Sequence, residues 1–289
     1  MNNKISLSIL VIFLIIGSLI GCGDPSVDIT SVSYDPRIVV EGYLFPGEPV
    51  KDIRIMRNFP LNQPIDTNQF FINPAIADVK INTTKLDFDS SKHSYFTNAF
   101  TVEKGQTYTL EVSATIDGKK LTTTASTTVP LDGLKLLSSD SVQHHYSEEF
   151  GILFCPMTPT GFYAFSIRAD SAGLSNFIYD NEFNSNMKSD QLEKDLNNFR
   201  LRSAFIQNLK PDTLNAVYQP IRTFNTWFYS DYTVIMYAGD QNFKNFVLTA
   251  PSVKEFDGNF HEPKIIMQGS GAGVFASAIK DTIRFSIIR

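Results

Sequence analysis

The most regular stretch of the chain reads GQTYTLEVSATIDGKKLTTTASTTVP, from Gly105 to Pro130. Apolar and polar side chains alternate through its first half, which is the period of a β-strand with one buried face. Asp117-Gly118 supplies the residues that a two-residue hairpin turn requires, and the threonine-rich second half has a high strand propensity. We therefore predict a β-hairpin that turns at Asp117 and Gly118.

Tyr108 stands near the start of the first strand of this hairpin. Its position resembles the tyrosine corner of immunoglobulin-like and fibronectin-like sandwiches, where the phenol hydroxyl bonds to a neighbouring backbone group. Three further strand candidates precede the hairpin: Ile38–Val40, Lys51–Met56 and Asp78–Ile81. The sequence thus predicts a mainly β protein in which residues 35–130 form a β-sandwich of this kind.

A second β-rich block is expected over residues 131–289, because Pro130-Leu131-Asp132-Gly133 has the composition of a boundary. A second sandwich or a partly closed barrel would accommodate its strands. The strand candidates of this block are Leu134–Leu137, Phe150–Cys155, Phe162–Ile167, Tyr232–Tyr237, Lys264–Gln268, Gly273–Ala278 and Thr282–Ile288.

Two short helices are expected to interrupt the second block. Asp190 and Glu193 have the spacing of a capping box, which predicts a helix near residues 190–202. Asp240 is a good N-cap for a helix near 241–249, where Phe243, Phe246 and Val247 share one face.

The amino-terminal segment carries the most specific chemistry in the chain. Lys4 precedes an apolar run, Ile5–Ile20, which is short for a membrane-spanning helix and typical of a signal peptide. Leu19-Ile20-Gly21-Cys22 resembles a bacterial lipobox, so we expect cleavage after residue 21 and acylation of Cys22. Residues 22–34 would then be a flexible tether. The alternative is an uncleaved membrane anchor with an incidental cysteine.

The expected location is the outer membrane, with the protein held by its acyl chains on the periplasmic or the surface-exposed face. Gly23 follows Cys22, where enteric bacteria use aspartate to retain lipoproteins in the inner membrane. Nucleic acid is a poor candidate partner, because 25 Lys and Arg against 30 Asp and Glu give a net charge of −5. The membrane, through the lipid anchor, is the first partner that the sequence predicts.

Several patterns resemble ligand sites, but each has a plainer interpretation. Gly269-Ser270-Gly271-Ala272-Gly273 has the glycines of a phosphate loop, yet it is flanked by strand candidates, so a turn or bulge is expected. His144 and His145 would seldom reach one metal ion from a strand, since adjacent residues of a strand face opposite sides. A solvated loop is therefore expected for the pair. Asp87 and Asp89 lack the rest of a calcium loop. No metal or cofactor site is predicted.

Catalytic residues are not predicted either. Cys155 follows an apolar run and is expected to be a buried thiol, without the paired histidine that would make it a nucleophile. The chain contains neither Gly-x-Ser-x-Gly nor His-Glu-x-x-His. An active site assembled from distant residues would leave no such local pattern, so an envelope hydrolase remains a low-ranking alternative.

The segment Thr226–Tyr232 holds the densest group of aromatic residues. If it were a strand, Trp227 and Tyr229 would share one face, with Phe228 and Tyr232 on the other. The rings would then either line a core or, if exposed, form a platform for a sugar or a protein partner. Trp227 and Tyr229 are therefore the candidate partner-binding residues.

Several segments together resemble an uncharacterised lipoprotein family of the Bacteroidetes, the domain of unknown function 4249. Their order and spacing cover nearly the whole mature chain, although Cys155–Pro159 departs from the Asp-Pro that the family often has there. The matching segments are Val39–Gly42, Ala77–Val79, Gly105-x-x-Tyr108-x-Leu110-x-Val112, Gly161–Tyr163, Asn259-Phe260-x-Glu262-Pro263 and Gly269-x-Gly271-x-Gly273–Ala276.

The resemblance implies an outer-membrane lipoprotein, of a kind often encoded beside TonB-dependent transporters, with no established catalytic residues. We therefore expect a noncatalytic binding or accessory protein that works with such a transporter in the uptake of a nutrient ligand. The alternative is a structural or adhesive envelope module without a small ligand, since sandwich domains serve both purposes.

Overall fold

The computed structural model describes residues 34–60, 64–65, 69–181, 189–249 and 267–289, with side chains omitted for residues 189–192. The described residues from Pro36 to Arg289 form one compact unit. None of the helices among them is long and apolar enough to cross a membrane. The predicted signal peptide of residues 1–21, Cys22, nearly all of the predicted tether and the Asn259–Pro263 segment lie outside the described residues.

Strands dominate the described residues, which confirms the predicted mainly β class. Two α-helices lie within the described residues, α1 Ser189–Arg200 and α2 Gln241–Thr249. The strands are β1 Ile38–Leu44, β2 Pro49–Arg57, β3 Ala77–Ile81, β4 Thr84–Lys85, β5 Asp87–Asp89, β6 Ser94–Thr101, β7 Thr107–Ile116, β8 Lys119–Thr128, β9 Leu134–Leu136, β10 Val142–His145, β11 Phe150–Pro156, β12 Tyr163–Ala169, β13 Leu201–Ile206, β14 Val217–Ile221, β15 Asp231–Gly239, β16 Gln268–Gly269 and β17 Gly271–Ile288.

The strands of the described segments form three sheets. A nine-stranded sheet has the order β13-β12-β15-β17-β1-β2-β6-β5, and β10 also pairs with β17. A five-stranded sheet has the order β16-β8-β7-β3-β4, and a three-stranded sheet has the order β14-β11-β9. The large sheet runs through the whole unit, and each smaller sheet packs on part of it.

Strand β17 links the two predicted blocks. It pairs in parallel with β1 over residues 271–277 and antiparallel with β15 over residues 278–286. The two short strands predicted over Gly273–Ala278 and Thr282–Ile288 are therefore one continuous strand. Because β1 precedes residue 130 and β15 follows it, the predicted boundary at Pro130 falls inside a unit whose largest sheet takes strands from both blocks.

Two main apolar cores lie between the large sheet and the two smaller sheets. The first lies between β1, β2 and β6 of the large sheet and β3, β7 and β8 of the five-stranded sheet. The second lies between β12, β15 and β17 and the three-stranded sheet, and Phe199 of α1 joins it. The amino-terminal sandwich predicted for residues 35–130 is thus present, and a second sandwich shares the same large sheet.

The hairpin that dominated the sequence forms as predicted. Strands β7 and β8 pair over ten positions, from Thr107 with Thr128 to Ile116 with Lys119. Asp117 and Gly118 both have positive φ, at 51° and 75°, as a two-residue turn of this type requires. Tyr108 makes the predicted corner, because its hydroxyl accepts the Glu103 backbone N–H at 2.9 Å.

Both predicted helices are present, α2 with its predicted bounds. The Asp240 carboxylate caps α2 by accepting the Phe243 N–H at 2.9 Å. Helix α1 ends at Arg200, two residues before its predicted end, because β13 starts at Leu201 and pairs with β12. The short strands β10, β13 and β14 were not predicted from the sequence.

Candidate functional site

A groove of about 610 Å³ lies where the hairpin, the link after it, the loop after β11 and the start of α2 meet. Its volume is within the range of about 300–1,000 Å³ that is usual for ligand pockets. We call it the junction groove. It is lined by Gly105, Ser126, Thr128, Val129, Pro130, Leu131, Asp132, Met157, Thr158, Pro159, Thr160, Asp240, Gln241 and Asn242.

Leu131 forms an apolar rim of the junction groove. Gly105 has a φ of +73°, and a Cβ there would come within 2.7 Å of the Leu131 side chain, so the leucine packs closely on the glycine backbone. The Gly105 N–H donates to the Val129 carbonyl at 2.9 Å, which fixes the chain on both sides of this contact. Leu131 is nevertheless 68% exposed and offers its side chain to a partner.

The opposite wall is the loop of residues 157–160, which Tyr163 holds in place. The buried Tyr163 hydroxyl accepts the backbone N–H groups of Met157 at 2.8 Å and Thr158 at 3.1 Å. It lies 3.2 Å from the Gly133 carbonyl, to which it donates. Burial raises the pKa of Tyr163, so the phenol keeps the proton that it donates. The wall is therefore preorganised by a second tyrosine corner, which the sequence analysis missed.

Asp240 forms the floor of the groove. Its carboxylate accepts hydrogen bonds from the Thr127 hydroxyl at 2.6 Å, from the Phe243 N–H at 2.9 Å and from the Ser277 N–H at 3.3 Å. Burial raises the pKa of this carboxyl above its ordinary value, although these hydrogen bonds oppose the shift. The groups that Asp240 binds come from β8, α2 and β17, so it ties three elements together beneath the groove.

The lining of the groove offers mainly apolar surface. Two of its polar side chains are already engaged: the Asn242 amide donates to the Ser126 and Phe275 carbonyls, and the Thr160 hydroxyl donates to the Gly239 carbonyl at 2.8 Å. The accessible apolar surface comes from Leu131, Met157 and Pro159, and Asp132 adds one exposed carboxylate. Such a surface suits apolar side chains better than a charged ligand.

Trp227 takes the core position, one of the two alternatives that the sequence left open for these rings. It is 3% exposed and lies in the second core, with its ring centroid 4.6 Å from that of Phe199 and 5.9 Å from that of Phe177. Its indole N–H donates to the Phe224 carbonyl at 2.8 Å. The exposed Trp–Tyr platform does not form, because strand β15 begins only at Asp231 and residues 226–230 do not alternate as a strand.

Tyr229 is half-buried and lies beside Tyr146 and Arg289, away from Trp227. Its ring lies edge-on to Tyr146, at 6.4 Å between centroids, and the Arg289 guanidinium lies 5.3 Å from its ring centre. Tyr229 therefore borders solvent, whereas Trp227 does not, and the structure does not bring the two candidate residues together as one binding surface.

The histidine pair lies in a strand rather than in the predicted loop. His144 and His145 belong to β10, which pairs with β17, and the His144 ring stacks on Phe150 with 3.9 Å between centroids. His145 bonds through Nδ1 to the Arg289 carbonyl at 2.8 Å. Within the described residues there is no group of three or more metal-ligating side chains.

The other residues that the sequence analysis considered as possible ligand-binding or catalytic residues lie in turns or in the core. Gly269 and Gly273 have φ values of +81° and +103°, as predicted for a turn or bulge, and a Cβ at Gly273 would overlap the Val40 carbonyl. Asp89 caps its own turn by accepting the Ser91 N–H at 2.9 Å. Cys155 is a buried free thiol, as predicted.

A protein-family model described as a domain of unknown function, DUF4249, matches residues 25–269. The chain belongs to the DUF4249 family. This DUF4249 region contains every residue that lines the junction groove, and it ends before β17, which completes the large sheet. None of the curated proteins matches the chain.

Two solved structures of titin are among those that resemble this DUF4249 protein. A chimeric titin Z1Z2 functionalized with a KLER exogenous peptide from decorin has 10% identity over 88% of this chain and 97% of that chain, with a TM-score of 0.21. Titin Z1Z2 in complex with telethonin has 9% identity over 89% of this chain and 98% of that chain, with a TM-score of 0.17. At these TM-scores the titin structures support no inference about this protein.

Proposed function

We propose that this protein is a noncatalytic lipoprotein of the outer membrane, anchored through Cys22, that binds a segment of a transporter in its junction groove. The observation on which the proposal rests is the apolar groove with Leu131 exposed at its rim. The lipobox-like sequence that ends at Cys22 supports the anchor.

The chemistry of the groove favours binding over hydrolysis. Asp240 is the buried carboxylate of the groove lining, and its oxygens are occupied by the Thr127 hydroxyl and by backbone N–H groups. A general acid or base has to reach the proton that it transfers, whereas this carboxylate faces the elements that it ties together. Its role in the proposal is to hold the floor of the groove.

A protein segment suits the groove better than a small polar nutrient. The hydrogen-bonding side chains Asn242 and Thr160 are already bonded within the protein, so a polar ligand would lose its hydration for few new hydrogen bonds. Apolar side chains on a partner would instead bury Leu131, Met157 and Pro159. The family resemblance supports a TonB-dependent transporter as that partner.

Affinity purification of the lipidated protein in mild detergent tests this proposal. We expect a transporter barrel to be recovered with the parent protein and lost with Leu131→Asp, because a charge at the rim opposes apolar contact. Leu214→Asp is the matched control, since Leu214 is 89% exposed and does not line the groove. Equal recovery with both variants, or recovery of matrix or fimbrial proteins instead of a barrel, would contradict the proposal.

The anchor has a separate test. Replacing Cys22 by Ser removes the thiol that would be acylated, so we expect the variant to leave the detergent phase or to retain its signal peptide. A variant that matures and partitions like the parent would show that the protein is held by something other than acyl chains on Cys22.

A further inference from the structure

A second cavity, of about 280 Å³, opens on the second sandwich. It lies between the loop that follows β10 and the segment that runs from β14 into the turn at residues 223–225. It shares no lining residue with the junction groove. We call it the tyrosine pocket, after Tyr146 and Tyr218 in its wall.

Tyr218 offers a flat, exposed ring to this pocket. A Cβ on Gly151 would come within 2.6 Å and 2.7 Å of two carbons of the Tyr218 ring, so the ring lies directly against the backbone of β11. Tyr218 is nevertheless 51% exposed. A glycine thus supports an aromatic ring that stays half exposed at the wall of the pocket.

Charged groups of both signs lie beside the tyrosine rings. Glu148 is held by its own loop, because its Oε2 accepts the His145 backbone N–H at 3.2 Å. Glu149 and Arg222 are exposed and line the pocket. The pocket therefore combines carboxylate acceptors and a guanidinium donor with aromatic surface.

Asn225 adds a donor next to the wall of the pocket. It is buried between Thr223 and Thr226, which both line the pocket, and its Oδ1 accepts the Arg222 N–H at 3.0 Å. Its Nδ2 is buried and has no hydrogen-bond partner among the described residues. A buried amide without a partner is uncommon, and it leaves hydrogen-bonding capacity at this position.

We propose that the tyrosine pocket binds one ring of a neutral oligosaccharide. The C–H face of a sugar carries partial positive charge and stacks on the negative face of a tyrosine ring. Sugar hydroxyls donate to carboxylates such as Glu149 and accept from a guanidinium such as that of Arg222. A neutral sugar can use groups of both signs at once, because each of its hydroxyls both donates and accepts hydrogen bonds.

This inference rests on the proposed function and extends it, since the junction groove would hold the transporter and the tyrosine pocket would hold its cargo. The two sites predict separable defects. A Tyr218 variant is expected to lose the sugar and retain the barrel, whereas Leu131→Asp is expected to lose the barrel and retain the sugar.

Calorimetric titration of the full chain with cello-, malto-, xylo- and manno-oligosaccharides tests the proposal. We expect at least one of them to bind, and Tyr218→Ala to weaken that binding by about tenfold through loss of stacking. Tyr179→Ala is the control, because Tyr179 is 58% exposed and does not line the pocket. Glu149→Gln and Arg222→Gln should each weaken binding without altering the fold.

Three outcomes would overturn the inference. One is that no oligosaccharide of the set binds the parent protein. The second is that Tyr218→Ala, with an unchanged circular dichroism spectrum, binds the sugar as tightly as Tyr179→Ala does. The third is that charged peptides bind in place of sugars. Each of these results leaves the recovery of a barrel through Leu131 as a separate question.

Discussion

The Thr127 hydroxyl donates a hydrogen bond of 2.6 Å to the buried carboxylate of Asp240. Thr127 belongs to β8 of the amino-terminal sandwich, and Asp240 is the N-cap of α2, so this bond crosses from one predicted block to the other. The Ser277 N–H on β17 reaches the same carboxylate at 3.3 Å. One buried acid thus organises the floor of the junction groove.

Replacing Asp240 by Ala should lower the free energy of unfolding by about 2–4 kcal/mol. The loss combines a helix cap, typically about 1 kcal/mol, with buried donors left without an acceptor, about 1–3 kcal/mol. Asp240→Asn keeps one acceptor oxygen and should lose less. Denaturant unfolding of the three proteins measures this order, and an Ala variant as stable as the Asn variant would contradict it.

Asp240 also predicts an unusual pH dependence. Burial raises its pKa in the folded protein above the ordinary value of 3.8, so the folded state holds this proton more tightly than the unfolded state does. The stability that protonation of Asp240 adds is therefore complete below pH 3.8 and is lost as the pH rises through the raised value. Relative to Asp240→Asn, the parent should gain stability on acidification in that window. A relative loss of stability, measured by denaturant unfolding at several pH values, would be the opposite of this expectation.

Gly273 should tolerate no side chain. Its φ is +103°, and a Cβ would overlap the Val40 carbonyl and lie 2.7 Å from the Val40 nitrogen, where β17 pairs with β1. Gly47 is the matched control, since its φ is +81° but nothing lies within 4 Å of the corresponding Cβ. We expect Gly47→Ala to cost about 1–2 kcal/mol from backbone strain alone, and Gly273→Ala more than about 3 kcal/mol. Similar unfolding midpoints for the two variants would show that β17 adapts.

The sequence was most informative where a single local rule decides the structure. Asp117 and Gly118 specify the turn by their tolerance of positive φ, and Asp240 specifies the start of α2 through its carboxylate. Residues 105–130 and 241–249 therefore form the predicted elements. In both segments the decisive contacts join residues within a few positions of one another.

Long-range pairing decided what the sequence could not predict. Strand β17 continues through Ile279, Lys280 and Asp281 because β15 pairs with residues 278–286 of β17. The local sequence does not indicate this pairing. The segment before β15 is not part of a strand, and the Asn181 amide donates to its Thr223 carbonyl at 2.9 Å. The alternation of a strand therefore did not predict the position of Trp227. The junction groove was missed for the same reason, because Leu131, Met157 and Asp240 are distant in the sequence.

Trp227→Ala should destabilise the protein by about 3–5 kcal/mol, because a large side chain is removed from a packed core. Phe224→Ala is the control three residues earlier, where the side chain is exposed, and it should cost less than about 1 kcal/mol. Thermal unfolding of both variants measures the difference. If Trp227→Ala retained the parent stability and lost binding to a partner, Trp227 would have to be reinstated as a binding residue.

Site-specific photocrosslinking in intact cells tests the proposed transporter contact most directly. A photoreactive residue would replace Leu131 at the rim of the junction groove or, in a control, Leu214 outside it. We predict that the Leu131 position forms a covalent adduct with an outer-membrane transporter barrel and that the Leu214 position does not. Adducts of equal yield at both positions, or none with a barrel at Leu131 while the protein is lipidated and folded, would contradict the account.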